Sequence, residues 1–193
     1  IFKDTLSYGK IPRCLYCYPL LSGTSNIEIE IHEYVKSICP YTVLHKDKKT
    51  LENGYELDIH IPQLRLAIEV DGIYYHSEIN GKKDRNYHLN KTIECKEKNI
   101  QLIHIFEYEW HNKKDVIKKI LYNKINPEKC IKVYARNCKL VKLDNIKSTE
   151  YFEKNHLMGN IQSNITYGLI YNGEIISAMS FGKSRYSKTY EFE

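Results

Sequence analysis

No stretch of this sequence reads as a membrane span: the longest apolar runs, such as LIYNGEIISAMSF, are broken by polar residues well short of the length required. No basic-then-apolar leader opens the chain, and no repeat with a period of roughly 20–50 residues recurs in either half. Disorder is not expected either, because 42% hydrophobic and 27% charged residues over 193 positions are ordinary for a chain that buries a core. A second close cysteine pair is missing as well. Six cysteines stand at 14, 17, 39, 95, 130 and 138, and only Cys14 and Cys17, in CLYC, form a compact motif. Zinc takes four ligands, so CLYC is half of a structural Zn²⁺ site whose other pair would lie upstream of Ile1, or a decayed or accidental motif. Without a secretory leader the expected compartment is reducing, and none of the six is read as a disulfide. The chain starts at Ile1 and stops in the strand-like TYEFE, and is expected to be a piece of a longer protein.

What is present divides into two patterns. After a loop-rich lead-in over residues 1–24, SNIEIEIHEYVKSI places Ile27, Ile31, Tyr34, Val35 and Ile38 at helical spacing behind a Ser25 or Asn26 cap, and Pro40 closes the helix. YTVLHKD, YELDIHIP and LRLAIEVDG read as strands, the last two as an antiparallel pair about Pro62. Residues 84–98 have a thin helical stripe, IQLIHIFEYEW reads as a largely buried strand, and KKDVIKKILYNKI as an amphipathic helix with Val116, Ile117, Ile120 and Leu121 on one side. This gives a complete small α/β unit over 25–125. A second unit over 126–193 follows the NPEK linker: a strand in CIKVYARNCKLVKLD, a helix in STEYFEKNHLMG, a hairpin about Asn172 and Gly173, and TYEFE as a further strand.

The chemistry concentrates in ELDIHIPQLRLAIEVDGIYYHSE, where a strand-like run carries Asp58, Glu69 and Asp71. Buried carboxylates are costly unless paired, hydrogen-bonded or bound to a cation, and neighbouring ones repel. Strand alternation puts Glu69 and Asp71 on one face, and antiparallel pairing brings Asp58 close to Glu69. Converging carboxylates suit a hard cation such as Mg²⁺, which activates water and offsets charge on a phosphodiester under attack. From Lys82 to Lys124 eleven Lys or Arg stand against six Asp or Glu, the local balance for holding a polyanion beside a metal, although a solvated helix face has the same composition.

An acid, about ten residues, then acid-x-residue on a hairpin resembles the PD-(D/E)xK nuclease superfamily, whose restriction-endonuclease-like fold is a mixed sheet flanked by helices. Asp71 stands where that family usually carries lysine. SNIEIEI, ELDIHI, EVDGIYYHSE and HIFEYEW, in that order, resemble more closely the very short patch repair endonucleases and the related EDxHD homing endonucleases, and most closely Hef-like homing endonucleases of phages and bacteria. The resemblance covers residues 10–125. It implies a metal-dependent DNA endonuclease, with Mg²⁺ or Mn²⁺ held by Asp58, Glu69 and Asp71. It also implies Glu28 as the helix glutamate, His76 as the histidine that orients or deprotonates the attacking water, and His88 and Lys91 as helix residues contacting phosphate or assisting proton transfer.

Asp71 falls where the repair enzymes carry a histidine, which speaks against a repair-type mechanism. RCLYCYP resembles the last cysteine pair of the zinc fingers that precede this domain in the family. Residues 126–193 resemble the unit appended to many such nucleases, a partial α+β domain of acyltransferase-like order, without a complete acyl-CoA phosphate loop. The implied partner is double-stranded DNA, with no membrane association, an oligomeric state left open, and a cytoplasmic setting in the host cell of a phage or bacterium.

Other readings stay open beside this one. A catalytically degenerate DNA-binding module fits the missing lysine, and restriction or mismatch-repair nucleases use the same site. A modifying enzyme centred on residues 130–193 is a third. Glu30 and Glu33 share the helix of Glu28 and compete for its role, and Asp84 is a further acid near the group. His104, Glu107 and Glu109 read as structural, Trp110 as a core anchor, and His156 has no assigned role.

Overall fold

A computed structural model describes residues 25–52, 54–72, 86–161 and 163–183. Cys14, Cys17, His76, Asp84 and the TYEFE segment lie outside the described residues. The first unit is a four-stranded mixed sheet in the order β1 (Leu44–Asp47), β2 (Leu57–Ile61), β3 (Leu66–Asp71) and β4 (Gln101–Phe106). β1, β2 and β3 run antiparallel, and β3 pairs with β4 in parallel. A parallel neighbour requires a crossover, and α2 (Tyr87–Glu97) provides it, while α1 (Asn26–Ile38) precedes the sheet and α3 (Glu107–Ile125) follows it.

Each element has a local cause. Ser25 caps α1 by accepting the Glu28 N–H at 3.0 Å. The β2–β3 connection is a single 3₁₀ turn begun by Pro62 and ended by Arg65 in the left-handed region at φ 49°. The strand expected to run through Trp110 stops four residues earlier, at Phe106. Glu109 Oε2 accepts the Phe106 N–H at 3.1 Å, and Glu107 and Glu109 complement the positive end of the helix, so EYEW becomes the first turn of α3. Trp110 therefore anchors the core from a helix, 1% exposed, with its indole N–H donated to Glu30 at 2.8 Å.

The sheet has two unlike faces. Ile59, Ile61, Ile68 and Ile105 point toward α1 and α3 and join Ile31, Val35, Trp110, Ile117, Leu121 and Ile125 in one apolar cluster. Each fully buried Ile or Leu there is worth about 1.5–3 kcal/mol relative to exposure. Tyr34 donates to the Lys118 carbonyl at 3.0 Å, and Asn126 Nδ2 to the Ile38 carbonyl at 3.1 Å, which tie α1 to α3 at two heights. The opposite face, under α2, has a smaller apolar cluster that includes Ala67, Cys95 and Ile100.

The second sheet is antiparallel, β5 (Lys139–Leu143), β6 (Ile165–Tyr171) and β7 (Glu174–Phe181), with α4 (Asn145–Asn155) after β5. Its hairpin turns on Asn172 and Gly173, both at positive φ, as the sequence predicts. Two boundaries differ from expectation. The strand expected across 130–144 is limited to 139–143, because 135–137 close a 3₁₀ turn. The helix begins at Asn145, since Asp144 accepts the Lys147 N–H at 2.8 Å, and ends before His156. Among the described residues no helix is long and apolar enough to cross a membrane.

Candidate functional site

The register places the acids. Ile59 faces Ile68 and His60 faces Ala67, so the next step along the ladder sets Asp58 opposite Glu69. In the parallel pair Glu69 faces His104 and Asp71 faces Phe106. Asp58, Glu69, Asp71 and His104 thus share the sheet face under α2, where one stripe of the helix presents Tyr87, Lys91 and Cys95 and the adjacent one His88 and Thr92. The sequence-predicted Asp58, Glu69, Asp71, His88 and Lys91 come together here.

Each acid has its own partner. Asp58 Oδ2 accepts the Val70 N–H at 2.8 Å. Glu69 Oε2 accepts from the ammonium of Lys91, and both side chains are at most 5% exposed. Asp71 Oδ2 lies 2.8 Å from His104 Nδ1, and Asp71 Oδ1 lies 3.7 Å from His88 Nδ1. The expectation that one cation answers for all three carboxylates is therefore met in part by protein groups: a backbone amide, a lysine and a histidine. Glu28 is buried at the start of α1 and lies 2.8 Å from His45 Nε2. Its charge also acts on Asp58, adding to the rise of that carboxyl.

The electrostatics follow from burial. Desolvation first, then the negative charge of Glu69, push the Asp58 carboxyl up to about 7, against smaller opposing effects of the Val70 amide and Lys91. Glu69 is raised as well, chiefly by burial, with Lys91 pulling the other way. Burial and the charges of Glu69 and Asp58 push Tyr87 up to about 12. The hydrogen bond to Asp71 raises His104 above the usual imidazole range, against its own desolvation. Away from this group, Asp47 accepts from Thr50 at 2.5 Å and from the Lys49 N–H at 2.9 Å and lies 2.7 Å from His60 Nδ1. Those bonds overcome its burial and hold it at about 2. Asp47 is a structural staple between β1 and β2.

Two residues join the cluster that their own stretch of sequence did not single out for chemistry. His104 read as a strand residue, yet its ring is on the acidic face, and the parallel register Glu69 to His104 is the signal that would have found it. Tyr87 opens α2 and packs edge-on against Tyr55 and His88, at ring-centroid separations of 5.0 and 5.3 Å. Asp71, His88 and His104 each offer one ligand atom, all within 4.8 Å of one another.

No family model and no curated protein matches the chain. Among solved structures the chain is similar to the Homing Endonuclease I-Bth0305I Catalytic Domain, at 19% sequence identity and a TM-score of 0.42, over 55% of this chain and 100% of that one.

Proposed function

We propose that residues 25–125 form a metal-dependent DNA endonuclease domain, of the phage-type homing class and the Hef-like or EDxHD branch in particular. The observation that carries the reading is the facing pair Asp58 and Glu69 on adjacent antiparallel strands, with the buried ammonium of Lys91 on Glu69. Carboxylate oxygens fit a hard cation, Mg²⁺ or Mn²⁺, and one oxygen of each is held by an amide or ammonium that fixes the side chain's direction. When bound, such a cation polarises a phosphoryl oxygen and lowers the pKa of water.

The chain's own residues supply the rest. Lys91 brings to this face the positive charge that the family carries on the strand, where this chain has Asp71; here it comes from a helix. Tyr87 stays protonated at neutral pH, since its hydroxyl is pushed up to about 12, and is a fixed donor beside the two acids. His76 is assigned the orientation of the attacking water on its motif alone, and Glu28 a supporting charge beside Asp58. A structural Zn²⁺ on Cys14 and Cys17, and an acyltransferase-like unit in 126–193, belong to the same proposal. The second rests on the β-α-β-β order of β5, α4, β6 and β7.

A degenerate DNA-binding module is the second reading, favoured by the engagement of Glu69 with Lys91, which competes with cation binding. Conversion of supercoiled plasmid in low salt separates the two. Nicking that needs Mg²⁺, stops with EDTA and is lost in Asp58→Ala and His76→Ala supports the nuclease. A salt-sensitive gel shift without nicking supports the module.

A further inference from the structure

Beside the carboxylate pair stands a donor set of different chemistry. Asp71 ends β3, His104 projects from β4 on the same face, and His88 lies in the first turn of α2. The parallel register fixes Asp71 and His104 relative to each other through backbone hydrogen bonds, so the pair is set by the sheet. We propose that Asp71, His88 and His104 form a second cation centre that takes a divalent first-row transition ion, Zn²⁺ or Co²⁺ in class, in place of Mg²⁺. Imidazole nitrogen favours such ions, whereas Mg²⁺ takes oxygen ligands and holds its waters.

The distances suit the assignment. An ion bound at about 2.0–2.2 Å, tetrahedral or octahedral, sets its ligand atoms about 3–3.6 Å apart. The carboxylate of Asp71 already lies 2.8 Å from one imidazole Nδ1 and 3.7 Å from the other. The two rings stand 6.0 Å apart between centroids and 73° to each other, so they converge from different directions. Three protein ligands are also the number found where a metal keeps a position for water or substrate.

A neighbouring hydroxyl holds the ring nitrogen of His104 that faces away from Asp71. Thr92 Oγ1 lies 2.7 Å from the His88 carbonyl, which can only accept, so the hydroxyl proton goes there. Toward His104 Nε2, at 3.3 Å, the same oxygen must then accept, and Nε2 carries a hydrogen. Nδ1 also carries a hydrogen in the metal-free protein, donated to Asp71 Oδ2 at 2.8 Å, and a bound ion displaces that proton and takes Nδ1 as its ligand. A ligating histidine whose other N–H is held in this way is the usual outer-shell arrangement of metal sites. Thr92 is thus a positioning residue that joins His88 and His104 through one oxygen.

The test is titration of the metal-stripped chain with Co²⁺, read by visible d–d absorption, in a Cys14→Ser/Cys17→Ser background so that the close CLYC pair contributes nothing. One equivalent should produce a band that Zn²⁺ abolishes. His104→Gln and Asp71→Asn should lose the band, and Thr92→Val should weaken Co²⁺ binding by about 10–100-fold. Ile93→Ser, on the outward side of α2, should leave the affinity within about threefold. Far-UV circular dichroism checks that the variants fold, and His88→Gln, at a half-exposed position, carries the test if His104→Gln does not. Absence of a band in the parent, or an undiminished one in His88→Gln, overturns the centre. Mg²⁺-dependent nicking is scored separately: nicking without a Co²⁺ band removes this centre alone, and a band without nicking removes the nuclease reading alone.

Discussion

The two faces of the first sheet are built on opposite rules. Under α1 and α3 nearly every inward residue is Ile, Leu, Val or Trp, and fully buried. Under α2 the inward side chains include Asp58, Glu69, Asp71, Lys91, Glu94 and His104, and the apolar Leu89 and Ile93 of the same helix face outward at 57% and 45% exposure. An ordinary helix does the reverse. One face is built for stability, the other keeps charge out of water at a cost that a structural role does not require.

Substitutions on the two faces should therefore differ in sign as well as size. The largest loss is expected on the apolar face: Trp110→Ala should destabilise by about 3–5 kcal/mol in urea denaturation, through the cavity and the lost bond to Glu30. Lys91→Met should cost about 3 kcal/mol by stranding Glu69, and the double variant Lys91→Met/Glu69→Gln should recover most of that. A double-mutant cycle completed with Glu69→Gln alone checks this, and a double-variant loss equal to the sum of the two single losses would show that the pair is not coupled.

Asp58→Asn should stabilise. The folded protein holds the Asp58 proton up to about 7 while the unfolded chain releases it near the ordinary 3.8, so stability falls as pH rises between those values. The gain in Asp58→Asn should be absent below about pH 4 and full above about pH 7, on the order of 4 kcal/mol with chelator present. Denaturation midpoints of the two proteins at pH 4 and pH 8 decide it. Ile93→Ser, on the outward side of α2, should change stability by no more than about 0.5 kcal/mol.

The same contrast explains what could be read from the sequence. Apolar periodicity located α1, β2, β3 and most of α3, because burying a stripe is what makes those elements form. It failed where polar contacts decide the outcome: the start of α3 is set by Glu107 and Glu109, and that of α4 by the Asp144 cap. At the site, alternation placed Asp58, Glu69 and Asp71 on one face, since the strand period is strict. His104 was missed because its neighbours are fixed by a parallel register formed only after a crossover helix, and no local pattern encodes that pairing. The sequence motif places Lys91 near the site, but its burial against Glu69 depends on the inverted packing of α2.

The most direct test of the account is the rate of Mg²⁺-dependent plasmid nicking by Asp58→Asn, measured beside its stability at pH 8. The account predicts a protein more stable than its parent with nicking reduced to background, because the charge that burdens the fold is the one that holds the cation. A variant that is more stable and still cuts at the parent's rate would contradict it.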